Sequence, residues 1–290
     1  MARKIKISSA VLNLRTHPHN PKLYAALMQD LFNQKRAVKL HGDRFGMISL
    51  VHTKATEGGY ISGVITTFVK VEFDGRWFDA SGMQDATAAQ VAKVQIPAHL
   101  HPNAASFYFE FNINTHRLYV QTYSEGKSLS AKQAQTLFDT LADADAIKKA
   151  YGNIHVTVVQ SRQGLEELFA LPVIKEIQIT IYKPNPDIFA DDFEGQIEAA
   201  LAQANSQRMT IGFEAEPGQS INPTAEIREV CEVALENGDV YVRGRDDKGA
   251  VRKSTERMPA EFHDKYDPDE MGELSAFRRL LPGWAANLWQ

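Results

Sequence analysis

Phe107, Phe109 and Phe111 alternate with Ser106, Tyr108 and Glu110. That period of two puts three rings on one face of an extended strand and polar groups on the other, a pattern no helix can present. Such a strand needs paired neighbours and a layer to cover its rings. The flanking sequence offers both. KIKISSAVLNL, FGMISLVHT, YISGVITTFVKVEF and HRLYVQTY read as strands, punctuated by the turns THPHNP and Asp74-Gly75. PKLYAALMQDLFNQKR reads as a helix with Pro21 at its first position and Leu23, Leu27 and Leu31 recurring at i+4. SLSAKQAQTLFDTLADADAIKKAYG reads as a second helical stretch, capped by Ser130. The first half is therefore expected to be a curved antiparallel sheet crossed by helices.

From about Asn153 the rhythm changes to strand–helix alternation: IHVTVVQ, RQGLEELFAL, IKEIQITIY, FEGQIEAALAQAN, RMTIGFEA and PTAEIREVCEVALENG. DVYVRGRD and AVRKSTERM then form a closing hairpin around Asp247-Lys248-Gly249. The expected class is α+β: a strand-rich N-terminal half, then alternating strands and helices ending in a hairpin. A soft boundary near 150 divides the chain of 290 residues into two units, 1–150 and 151–290. The tail ELSAFRRLLPGWAANLWQ is too apolar for a loose end. Phe277, Leu280, Leu281 and Trp284 fall on one helical stripe, which Pro282 and Gly283 are expected to bend or end. Phe277 and Leu281 suit the protein's own body, and Trp284 and Trp289 suit a homodimer interface.

A single cysteine, Cys231, cannot form an intramolecular disulfide, so the fold needs no oxidising compartment. Its place in EIREVCEVALENG puts it on the apolar face of a helix, as a buried structural thiol. The start, MARKIKISSAVLNL, is interrupted by Ser8, Ser9 and Asn13 and does not read as a signal peptide. No run approaches the roughly 18 apolar residues of a spanning helix, so no membrane partner and a cytoplasmic location are expected. Charge is uneven: residues 183–239 hold 12 acidic and 3 basic side chains, and residues 240–257 hold 6 basic and 3 acidic. A solvated helix beside an exposed hairpin gives such an asymmetry, and so does a nucleic-acid surface.

Motifs for chemistry are sparse. His17/His19 and His99/His101 have ligand-like H-x-H spacing but sit in Pro-containing loops, where surface histidines are common, and no metal site is assigned. Asp187, Asp191, Asp192 and Glu194, with Glu214 and Glu216 at a strand end, could hold magnesium in a nuclease, although the local motif lacks its lysine. An acidic helix start explains the first four equally well. There is no G-x-S-x-G, no Walker motif and no G-x-G-x-x-G, so no cofactor is expected. Two basic stretches remain. Lys35, Arg36, Lys39 and Arg44, with His41, surround a helix end. Arg243, Arg245, Lys248, Arg252, Lys253 and Arg257 lie on the closing hairpin, where a basic ribbon can neutralise phosphates.

Several phrases occur together: HGDRFGMIS from His41, GVITTF from Gly63, Trp77-Phe78, IPAHLHPN from Ile96, HRLY from His116, GKSLS from Gly126, STE from Ser254 and YDPDE from Tyr266. In combination they resemble a bacterial and prophage family labelled only as a domain of unknown function, over nearly the whole chain. That resemblance supplies no catalytic residues. In architecture alone the chain is similar to the phage-exclusion protein RexA and the DNA-binding subunit of the Kiwa defence system. The analogy implies a cytoplasmic dimer that binds DNA or senses a phage protein or defence partner. The leading expectation is a non-enzymatic, DNA-associated protein of anti-phage defence or prophage immunity. The alternatives are a metal-dependent nuclease or toxin and a protein–protein adaptor acting through the C-terminal tail.

Overall fold

The computed structural model describes residues 4–17, 21–56, 58–184 and 193–288. The chain opens with β1 (Ile5–His17), passes through a 3-10 turn into α1 (Tyr24–Asn33), and returns as β2 (Val38–His41), β3 (Arg44–His52) and β4 (Tyr60–Val69). An excursion follows, holding the ribbon β5 (Phe78–Asp79) and β6 (Gln84–Asp85) and the one-turn α2 (Ala88–Val91). Then come β7 (Ala105–Asn112), β8 (Arg117–Ser124), β9 (Lys127–Ser128), α3 (Ala131–Ala142), α4 (Asp145–Tyr151) and β10 (Asn153–Val158). The next stretch runs α5 (Arg162–Phe169), β11 (Val173–Tyr182), α6 (Phe193–Gln203), β12 (Arg208–Glu214), α7 (Ala225–Asn237), β13 (Gly238–Asp246) and β14 (Gly249–Ser254). β15 (Glu261–Tyr266) and α8 (Glu273–Ala286) close it.

The fold is α+β. Among the described residues the strands form a nine-stranded sheet, a four-stranded sheet and a two-stranded ribbon, all antiparallel. The main path of the large sheet is β10-β1-β8-β7-β4-β3-β2. One edge of β1 is shared end to end, residues 12–17 pairing with β10 and residues 5–10 with β15. Residues beyond 150 thus contribute to both sheets.

The alternation in β7 does what its pattern demands. Phe107, Phe109 and Phe111 are fully buried under α1 and α3, each worth roughly 1.5–3 kcal/mol in apolar burial. Phe109 meets Phe138 edge-on at 5.8 Å. Across the ladder it faces Gly63, where a Cβ would come within 2.2 Å of the Phe109 ring, so only glycine fits. Ser130 starts α3 as a capping box, its hydroxyl accepting the Gln133 N–H while Gln133 accepts from the Ser130 N–H. The helical stretch read through to Gly152 is two helices, because Ala144 is extended between them.

The tail packs on the opposite face of the large sheet. Phe277, Leu281, Trp284 and Leu288 are buried against Ile7, Val11 and Tyr119. Trp284, expected at an interface, is 6% exposed, stacked on Phe262 at 6.0 Å and edge-on to Phe277 at 5.7 Å. The chain's own sheet supplies the apolar cover that a second copy was expected to give. Trp289 lies outside the described residues. Nor does Pro282 stop the helix: it sits exposed on α8, which continues to Ala286 while Leu281 and Trp284 hold it down.

A polar joint connects the two sheets at the end of α7. Arg15, fully buried, donates to Asn237 Oδ1 at 2.7 Å and Thr157 Oγ1 at 3.3 Å. Arg117 pairs with Glu236 at 2.5 Å, and Thr157 donates to the Glu236 carbonyl at 2.6 Å.

Candidate nucleic-acid interface

The four-stranded sheet runs β12-β11-β13-β14. Ile177, Ile179 and Ile181 of β11 and Val240 and Val242 of β13 point to one face, where Leu165 and Leu168 of α5, Ile197 of α6 and Cys231 and Leu235 of α7 cover them. Burial pushes the Cys231 thiol up to about 12, as a core residue requires. The alternate residues, Glu176, Gln178 and Thr180 on β11 and Tyr241, Arg243 and Arg245 on β13, point to the other face, on the far side from these helices.

Register decides which cations meet. Arg243 stands opposite Arg252 on one side and Glu176 on the other. Its Nε donates to Glu176 Oε2 at 2.7 Å, and this bond holds the guanidinium pKa above its ordinary value. Arg245 and Arg252 are exposed and have no acidic partner among the described residues. They border a groove of about 700 Å³ at the sheet's end, with Lys175, the loop 214–218 and Arg243. Lys175 comes from a β-bulge between Ile174 and Glu176, and its ammonium donates to the Gln219 carbonyl.

The remaining hairpin cations disperse. Lys248 is exposed at the turn, its backbone N–H donating to Asp246 Oδ1 at 2.8 Å, and Gly249 takes the φ of +127° that the turn needs. Lys253 pairs with Val242 and so belongs to the helix-covered side. Arg257 lies in a 3-10 turn beside a separate depression shared with Lys132 and Glu256.

The first basic stretch does not form one patch. Arg44 is half-buried and spent on structure, donating to the Ser128 carbonyl at 2.6 Å and Thr67 Oγ1 at 2.8 Å, and burial lowers its pKa. Arg36 reaches the Thr140 carbonyl at 3.5 Å, while Lys35 and Lys39 are exposed.

Of the proposed magnesium ligands, Asp187, Asp191, Asp192 and the Glu194 side chain lie outside the described residues, as do His19 and the His17 ring. Glu214 and Glu216 border the basic groove, and Lys175 enters it from the neighbouring strand. Sequence reading missed Lys175 because the bulge breaks the alternation that would have signalled its direction. His101 stacks on Phe68 at 4.6 Å. Among the described residues no three His, Cys, Asp or Glu side chains cluster as metal ligands, and no helix is long and apolar enough to cross a membrane.

Fold and groove together define an α+β protein with an open-faced sheet whose end carries unpaired arginines. The chain belongs to the family described as Domain of unknown function (DUF4747), whose model matches residues 5–282. No curated protein matches it.

Proposed function

We propose that this chain is a cytoplasmic DNA-binding protein of anti-phage defence or prophage immunity, without catalysis of its own. The observation that carries the binding is the pair Arg245 and Arg252, exposed one row apart on the same face of β13 and β14 and neither held in an ion pair among the described residues, while Glu214 and Glu216 stand across the groove. Unpaired guanidiniums on a rigid strand pair are suited to phosphate oxygens, which they can meet with two parallel hydrogen bonds. Lys248 adds an exposed cation at the hairpin turn, beyond Asp246 and Asp247. The setting rests on the resemblance to a bacterial and prophage family and, for phage defence, on architectural analogy alone. An adaptor acting through the tail loses its support, because the apolar stripe of α8 is buried.

The test is fluorescence anisotropy of labelled duplex and single-stranded DNA with the full chain and with Arg245→Ala/Arg252→Ala, with and without magnesium. The reading predicts binding that the double variant weakens and DNA that stays intact. Absent binding, or a variant that binds like the parent, would remove it. Magnesium-dependent cleavage would move the chain to the nuclease reading.

A further inference from the structure

We propose that the open face of the four-stranded sheet seats unpaired bases, so that the nucleic acid this chain takes is single-stranded. The inference rests on the phosphate-binding reading of Arg245 and Arg252 and adds what lies beside them.

The register lays Gly212, Gln178, Tyr241 and Ser254 in one row across β12, β11, β13 and β14. Gly212 and Gln178 are exposed, and a Cβ built on Gly212 would meet nothing within 4 Å. Neither the Gln178 amide nor the Tyr241 hydroxyl has a hydrogen-bond partner among the described residues. The row is uncharged. Beyond it on one side lies the row Glu214, Glu176, Arg243 and Arg252, in which Arg243 neutralises Glu176. On the other side lie Thr210, Thr180 and Asp239.

Such a surface has an aromatic ring for stacking, an amide for base edges, a bare glycine that keeps the approach flat, and an unpaired arginine one row away for the backbone. Rows on one face are about 7 Å apart and strands about 4.8 Å apart. Four strands therefore span about 14 Å before side chains are added, more than the roughly 12 Å major groove admits. A duplex can touch this face with its phosphates but cannot bring base edges to Gln178 and Tyr241. Unpaired bases can.

The experiment measures anisotropy of labelled oligothymidine, oligouridine and a blunt duplex of equal length with the full chain and its variants. Tyr241→Ala is expected to weaken oligomer binding about tenfold, the loss of one base stack, and Tyr241→Phe to retain it. Gly212→Glu puts a carboxylate into the open space from ordinary strand geometry and is expected to weaken binding at least as much. Melting curves should match the parent for all three. Which oligomer binds tighter identifies the sugar, and Tyr241 dependence on either one supports the proposal. If Tyr241→Ala and Gly212→Glu bind like the parent while Arg245→Ala/Arg252→Ala does not, the base seat is wrong and the phosphate reading stands. A parent that prefers the duplex also overturns the seat. A parent that binds none of the probes overturns both.

Discussion

Replacing Arg278 with methionine removes the counter-charge of Glu110 while keeping most of the apolar stem. Glu110 points from β7 into the seam under α8 with 2% of its side chain exposed, and Arg278 Nε lies 2.6 Å from its Oε1. Arg278 also donates to Ser62 Oγ at 2.9 Å. Removing one partner of a fully buried pair costs about 3–5 kcal/mol. Arg278 is 45% exposed, so water reaches that end of the pair and the expected cost falls to about 2–3 kcal/mol. The penalty depends on pH. Burial already raises the Glu110 pKa above its ordinary value, more than Arg278 lowers it. Without Arg278 the folded-state pKa climbs further. A carboxyl that holds its proton more tightly when folded is harmless below its unfolded pKa and costs stability as pH rises through the folded one. The variant should therefore be near-normal in acid and weakest at neutral pH and above. Urea unfolding followed by circular dichroism at about pH 5 and about pH 8 reads the effect. Glu110→Gln/Arg278→Met should recover most of the loss. A penalty below about 0.5 kcal/mol at both pH values, typical of an exposed bridge, would refute the buried seam. So would a double variant as weak as the single one.

Asp139→Asn should stabilise the protein at neutral pH by up to about 3 kcal/mol, because burial raises the Asp139 pKa to about 6 and the wild type loses stability as pH climbs to that value. The gain should vanish below about pH 4, and a pH-independent difference in urea unfolding would show that charge is not its cause. Trp284→Ala should cost about 3–5 kcal/mol in thermal or urea unfolding without changing the mass seen by light scattering. A halved mass would restore Trp284 to a dimer interface. Cys231 should resist a thiol reagent until urea unfolds the chain, and rapid labelling of the folded protein would contradict its place under the four-stranded sheet.

Local patterns carried over well from sequence to structure. The phenylalanine alternation became β7, the Leu23–Leu31 spacing became α1 with its preceding turn, and Ser130 became the N-cap of α3. Each depends on neighbours a few residues away. Pairing was less legible. Nothing near Ile5 announces that one edge of β1 will take β15 and β10 in succession, since those partners lie more than 130 residues away. β15 itself has mostly exposed side chains and so no apolar alternation to mark it. At the candidate site, the basic residues were visible but their faces were not. Hairpin register puts Arg252 beside Arg243 and sends Lys253 to the other side. Tyr241 and Gln178, 63 residues apart in sequence, become neighbours through the ladder between β11 and β13.

The salt dependence of DNA affinity tests the central claim most directly. Each phosphate contact contributes roughly 0.7–0.9 to the slope of log affinity against log salt, the lower figure for single strands. Anisotropy titrations of the parent across a salt series should give a steep negative slope. Arg245→Ala/Arg252→Ala should flatten it by roughly 1.4–1.8. A slope that is the same for parent and variant, or a parent with no measurable affinity at low salt, would contradict a phosphate site at the end of this sheet.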